Sequence, residues 1–83
     1  MILQCESMSR DPMLACNTPV VMHERKKGLT RPQAIKLAKE FVAQFPKGAS
    51  IPRASVYTQD KDCRVVFSIW ENLEGKVSEQ EYK

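Results

Sequence analysis

The sequence has few of the residues that build metal centres or phosphate sites. Its three glycines, Gly28, Gly48 and Gly75, are isolated, so there is no glycine-rich phosphate-binding loop. Its three cysteines are Cys5, Cys16 and Cys63, an odd number with none of the C-x₂₋₄-C spacing of zinc sites. This pattern argues against a complete disulfide framework and is typical of a reducing compartment. We therefore expect a cytoplasmic protein without a metal or cofactor.

Long hydrophobic runs are also absent from the sequence. No apolar stretch approaches the roughly 18 to 20 residues that cross a bilayer, and Met1 to Leu3 is too short for the hydrophobic region of a signal peptide. Hydrophobic residues make up 42% and charged residues 28%, which is ordinary for a globular chain. We expect no association with a membrane.

A chain of 83 residues has room for one domain and one hydrophobic core. Such a core hardly encloses the several hundred cubic ångströms of a substrate cleft, so its size favours a binding module over an enzyme. A cysteine nucleophile needs a base, and Cys63 with His23 is the pair of side chains available for these two roles. Since Cys63 is predicted on the core side of a strand, burial would suppress its thiolate. We predict that the protein is not an enzyme.

The net charge of +3 conceals an uneven distribution along the chain. Residues 23–53 contain eight basic and two acidic residues, whereas residues 54–83 contain four basic and six acidic ones. Residues 1–22 have one basic and two acidic residues. A basic middle and an acidic end orient a charged partner, and they affect its association rate more than the fold.

The clearest predicted element is an amphipathic helix at residues 30–46. Thr30 and Gln33 have the spacing of a capping box, and Pro32 falls in the first turn, where its missing N–H is tolerated. A broad apolar face groups seven residues: Ala34, Ile35, Leu37, Ala38, Phe41, Val42 and Phe45. Pro46 and Gly48 predict the end of the helix.

Residues 54–70 predict a β-hairpin around a polar turn at residues 59–62. The first strand is predicted at residues 54–58 and the second at residues 63–70. Alternation along the second strand places Cys63, Val65, Phe67 and Ile69 towards the helix. The opposite face then carries Arg64, Val66, Ser68 and Trp70, which is only half polar.

The remaining segments give weaker signals. Residues 1–22 are interpreted as extended or irregular, with one helical turn from Asp11 to Ala15. The two extended pieces, Met1 to Cys5 and Pro19 to Met22, could both join the sheet. Residues 23–29 are predicted as a basic connection, and residues 71–83 as an edge strand or a tail.

Together these elements predict a single α+β domain over residues 1–83. One amphipathic helix packs on a small antiparallel sheet of three to five short strands. The order of a helix followed by a hairpin at residues 30–70 is similar to that of PepSY-like modules, although no residue role is transferred from that similarity.

The predicted functional surface is the half-apolar face of the hairpin. Tyr57, Arg64, Val66 and Trp70 would lie there, and Tyr, Trp and Arg are enriched in the centres of protein interfaces. Ordinary packing beneath the N-terminal segment is the alternative. Stacking of nucleic-acid bases is less favoured than protein binding, because Glu71 and Glu74 follow Trp70 and would repel phosphates.

The basic segment at residues 23–39 gives a second hypothesis. Its cations could contact the phosphates of a nucleic acid near the start of the helix: Arg25, Lys26, Lys27, Arg31, Lys36 and Lys39. The alternative is a solvated loop and a solvated helix face. No helix-turn-helix, zinc-finger or KH-type motif accompanies these residues.

We therefore expect a small non-enzymatic protein-binding module that acts as an adaptor or inhibitor. The partner is another protein, and the basic segment steers it towards the sheet face. Small free-standing chains of this kind are often encoded by phages or mobile elements as inhibitors of host machinery, anti-CRISPR proteins among them. The alternative is a nucleic-acid-binding protein.

Overall fold

An α+β fold is seen in the computed structural model, which describes residues 1–9, 20–46, 48 and 50–82. In the described residues, one helix packs on a five-stranded antiparallel sheet, as predicted. The strands lie across the sheet in the order β2-β1-β3-β4-β5. The elements are β1 (Ile2–Ser9), β2 (Val21–Lys26), α1 (Arg31–Gln44), β3 (Ser50–Tyr57), β4 (Val65–Glu71) and β5 (Val77–Glu81).

Helix α1 begins at the predicted capping box. The Gln33 N–H donates to the Thr30 hydroxyl oxygen at 3.3 Å, and the Thr30 N–H donates to the Gln33 side-chain oxygen at 3.1 Å. Pro32 lies in the first turn. The helix ends at Gln44, two residues before the predicted end, because Phe45 adopts an extended backbone.

The hydrophobic core lies between α1 and one face of the sheet. All seven residues of the predicted apolar helix face are buried or half-buried. The central strands contribute Leu3, Cys5, Ala54, Val56, Phe67 and Ile69. Ala34 and Ala38 are fully buried, and their small side chains let the helix approach the sheet closely.

The predicted start of the second hairpin strand, which is β4 in the structure, is wrong. Phe67 and Ile69 do face the core, but β4 begins at Val65, and Cys63 is exposed in the preceding turn with a positive φ of 47°. The pairing of β3 with β4 is irregular here, since Val56 pairs with Phe67 and Tyr57 with Val65. Val66 is the extra residue of this bulge, and a bulge breaks the strict alternation on which the prediction depended.

Two further segments differ from the prediction. The charged residues 23–26 belong to β2, which pairs antiparallel with β1, so both extended N-terminal pieces join the sheet. Strand β3 begins at Ser50, four residues before the predicted start. It contains Pro52, which pairs with Ser7 of β1 at a point beyond the pairing of β3 with β4. A missing N–H is tolerated where a strand is paired on one side only.

Strand β5 confirms the predicted edge strand at the C-terminal end. The proposed helical turn from Asp11 to Ala15, and Cys16, lie outside the described residues. No helix in the described part of the chain has the length and apolar character needed to span a bilayer.

Candidate functional site

A groove of about 690 Å³ lies on the sheet face opposite α1. We call it the sheet groove. Strands β1, β3 and β4 line it together with the β4–β5 turn and the end of the chain. The lining residues are Met8, Ser9, Ile51, Pro52, Arg53, Ser55, Tyr57, Ser68, Trp70, Glu71, Asn72, Leu73 and Tyr82.

The strand register places the side chains of the groove side by side. Arg53 of β3 pairs with Trp70 of β4 on one side and with Glu6 of β1 on the other. Two residues further along β3, Ser55 pairs with Ser68. Since Ala54 and Val56 face the core, alternation directs Arg53 and Ser55 to the groove side.

An ion pair between Arg53 and Glu6 lies beside the groove. Arg53 donates from Nε to Oε1 of Glu6 at 2.7 Å, and Nη2 donates to the same oxygen. The Glu6 side chain is only 11% exposed, whereas that of Arg53 is 49% exposed. The acid is therefore covered and the cation faces solvent.

Other lining residues also bring hydrogen-bond donors to the groove, among them Ser55, Tyr57, Ser68 and Trp70. The hydroxyl and indole groups of these four have no side-chain hydrogen bond to any residue in the described ranges. The indole N–H of Trp70 is a donor only, and the hydroxyls both donate and accept. The groove thus combines apolar walls with polar groups available to a ligand.

Two of the four residues predicted for protein binding lie together in the groove, Tyr57 and Trp70, and both are half-buried. The other two lie elsewhere. Val66 is only 7% exposed and belongs to the core cluster. Arg64 is exposed in the β3–β4 turn, where its N–H donates to the Thr58 hydroxyl at 2.9 Å, and it does not line the groove.

The six predicted phosphate-binding cations are spread over several surfaces. Three of them contact carboxylates: Lys26 with Glu24 at 2.9 Å, Arg31 with Glu81 at 3.1 Å and Lys39 with Glu79 at 4.0 Å.

The other three cations are exposed. Lys36 lies on the helix and Lys27 on the connection from β2 to α1. Arg25 and Lys26 are adjacent in β2 and so point to opposite faces of the sheet. The six residues therefore do not form one continuous patch.

The thiol and imidazole that were weighed as nucleophile and base lie on different elements, Cys63 in the β3–β4 turn and His23 in β2. His23 accepts or donates a hydrogen bond with the Ser7 hydroxyl at 2.7 Å, and its ring contacts Phe41 and Phe45. Cys5 is buried in the core, and this burial raises the pKa of its thiol to about 11. Within the described ranges, no three His, Cys, Asp or Glu side chains are placed to hold a metal ion.

Sequence reasoning missed Arg53, Glu6 and the serine pair. Arg53 was grouped with the basic middle of the chain because β3 was predicted to start after it. In the sequence, Arg53, Ser55 and Tyr57 alternate with the apolar residues Ala54 and Val56, and this period of two was the available signal. Glu6 lies 47 residues from Arg53, so only the register of β1 and β3 brings them together.

Comparison with known proteins finds no matching family model, curated protein or solved structure.

Proposed function

We propose that the chain is a small protein-binding module that docks a partner in the sheet groove and acts as an adaptor or inhibitor. The observation that carries this proposal is the placement of Trp70, Tyr57 and Arg53 around one groove of about 690 Å³. Side chains of these three types dominate the binding energy of many protein interfaces, because they combine large apolar area with hydrogen-bonding groups.

The docking surface differs from the one predicted from the sequence. Arg53 supplies the guanidinium that was expected from Arg64. Ile51 and Pro52 supply the apolar surface that was expected from Val66. Ile51 and Pro52 are themselves buried, so they form the floor rather than a protruding contact. Binding energy should therefore be concentrated at Trp70, Tyr57 and Leu73, which remain partly accessible or exposed.

The charge arrangement favours a protein partner over a nucleic acid. Phosphate binding depends on cations that are free to displace counterions along a continuous surface. Here Lys26 and Arg31 are already paired with carboxylates, and Arg25 points to the opposite side of the sheet from Lys26. Nucleic-acid binding through residues 23–39 is the outcome that the following experiment would reveal if this reasoning is wrong.

The proposal is tested by affinity capture from lysate of the source cells, with nuclease and at two salt concentrations. The baits are the wild-type chain, Trp70→Ala and the control Glu40→Ala, which changes an exposed residue of α1 outside both candidate surfaces. We expect a defined protein that wild type and Glu40→Ala retain and Trp70→Ala loses by at least about tenfold.

Circular dichroism of each bait establishes that it is folded. Capture that does not depend on Trp70 would refute docking in the groove. Recovery of nucleic acid that is lost at high salt would support the alternative function instead.

A further inference from the structure

We propose that the segment of the partner that enters the sheet groove is acidic and apolar: a carboxylate binds Arg53, and neighbouring apolar side chains pack against Trp70 and Leu73. This inference rests on the proposed function and specifies the chemistry of the partner at that same site.

The first argument is the unequal exposure of the ion pair. Half of the Arg53 side chain is accessible, while the Glu6 carboxylate is almost covered. Arg53 donates to Glu6 through Nε and Nη2, and its Nη1 donates to no acceptor among the described residues. A guanidinium binds carboxylates through adjacent N–H groups, so the accessible part of Arg53 suits a second carboxylate.

The second argument is that the groove offers hydrogen-bond donors but no accessible carboxylate among its lining residues. Tyr57 and Trp70 present an O–H and an N–H without protein partners in the described ranges, and the hydroxyls of Ser55 and Ser68 lie between them in the register. Neither acid that follows Trp70 offsets this, since Glu71 is only 5% exposed and Glu74 lies in the β4–β5 turn and does not line the groove. The third nearby carboxylate, Glu6, is paired with Arg53. A cationic segment would find little negative charge here.

The third argument is the apolar surface that surrounds these donors. Leu73 is 51% exposed, and Trp70 and Tyr57 are half-buried at the rim. A purely charged segment would leave this surface in water, whereas apolar neighbours of the carboxylate would cover it. Excluding water in this way also strengthens the charge-assisted hydrogen bonds to Arg53.

The test begins with an unbiased selection of displayed random 12-residue peptides on the full chain. Peptides that also bind the Trp70→Ala chain are removed, so that the retained ones depend on the groove. We expect the retained peptides to share Asp or Glu next to an apolar residue. A retained set that is basic, or that has no shared acid, overturns the inference.

The second step measures affinities for one selected peptide and for its version with Gln in place of the acid. Trp70 is the single tryptophan of the chain, so its fluorescence reports binding of a peptide that lacks tryptophan. We expect the Gln version to bind at least about tenfold more weakly to the wild-type chain.

Two variants of the ion pair separate recognition from folding. Glu6→Gln removes the carboxylate that competes for Arg53, so the acidic peptide should bind severalfold more tightly. The double variant Glu6→Gln/Arg53→Gln leaves no uncompensated charge, and on it the acidic and Gln peptides should bind within about twofold of each other. Persistent preference for the acid on the folded double variant overturns the role of Arg53.

Failure of this inference is distinguishable from failure of the proposed function. Peptides that depend on Trp70 but are indifferent to the acid would leave the groove as the docking site and refute only the acidic partner. If no Trp70-dependent peptide is selected, the inference about the segment is refuted, and the lysate capture still decides the proposed function independently.

Discussion

Replacing Leu3 by alanine should remove a large part of the stability of this fold. Leu3 is fully buried in β1, where it pairs with Val56 on one side and with Lys26 on the other. A buried Leu→Ala change costs about 2.7 to 5 kcal/mol, depending on how far the surroundings collapse into the cavity. Pairing on both edges holds this position in place, so we expect a loss in the upper half of that range.

This loss is large compared with the total free energy of unfolding. Eighty-three residues at roughly 0.05 to 0.15 kcal/mol each imply a free energy of unfolding of about 4 to 12 kcal/mol. Urea unfolding followed by Trp70 fluorescence measures the change by linear extrapolation. The matched control is Leu73→Ala, which changes a leucine that is 51% exposed and should cost less than about 0.5 kcal/mol. A cost below about 1 kcal/mol at Leu3, or equal costs at both sites, would refute this description of the core.

Three further predictions concern the β3–β4 turn and the thiols. Cys63→Gly should raise the free energy of unfolding by about 0.5 to 1 kcal/mol, because a left-handed backbone is strained for cysteine but not for glycine; destabilisation in urea would contradict this. The hydrogen bond from the Thr58 hydroxyl holds the pKa of Asp60 below its ordinary value of 3.8. The ionised Asp60 carboxylate therefore stabilises the fold above pH 3.8, and this stabilisation is lost as the pH falls through the folded-state pKa. The stability difference between wild type and Asp60→Ala should therefore be constant above about pH 5 and shrink towards pH 2.5; a difference that grows on acidification would be inconsistent. In a Cys16→Ser variant at pH 8, iodoacetamide should modify the exposed Cys63 quickly. Cys5 is buried and its pKa is raised to about 11, so it should react only when the chain unfolds. Mass spectrometry measures both rates, and equal rates would disprove the burial of Cys5.

The elements that could be predicted from the sequence are those specified by local signals. The capping box of Thr30 and Gln33, Pro32 in the first turn and the 3.6-residue periodicity all lie within α1, so the helix was found with an error of two residues at its end. The alternation of Phe67 and Ile69 likewise identified the core face of β4. Each of these patterns reflects an interaction between residues close in sequence.

The features that escaped prediction depend on pairing between distant segments. Strand β2 has a charged sequence because it lies at the edge of the sheet, and only its pairing with β1 makes it a strand. The bulge at Val66 depends on the register between β3 and β4.

The candidate site was predicted in part for the same reason. Tyr57 and Trp70 were found because the hairpin joins them locally. Arg53 depends on Glu6, and these two residues come together only when β1 pairs with β3.

The central position of β1 has a consequence for synthesis of the protein. Its eight residues, Ile2–Ser9, are synthesised before the strand that completes their pairing, β3, which ends at Tyr57. At about 5 to 20 residues per second, the ribosome needs roughly 2 to 10 s to add the intervening chain. For that time one edge of β1 has no partner from its own sheet, and an unpaired strand edge of this kind favours aggregation until β3 covers it.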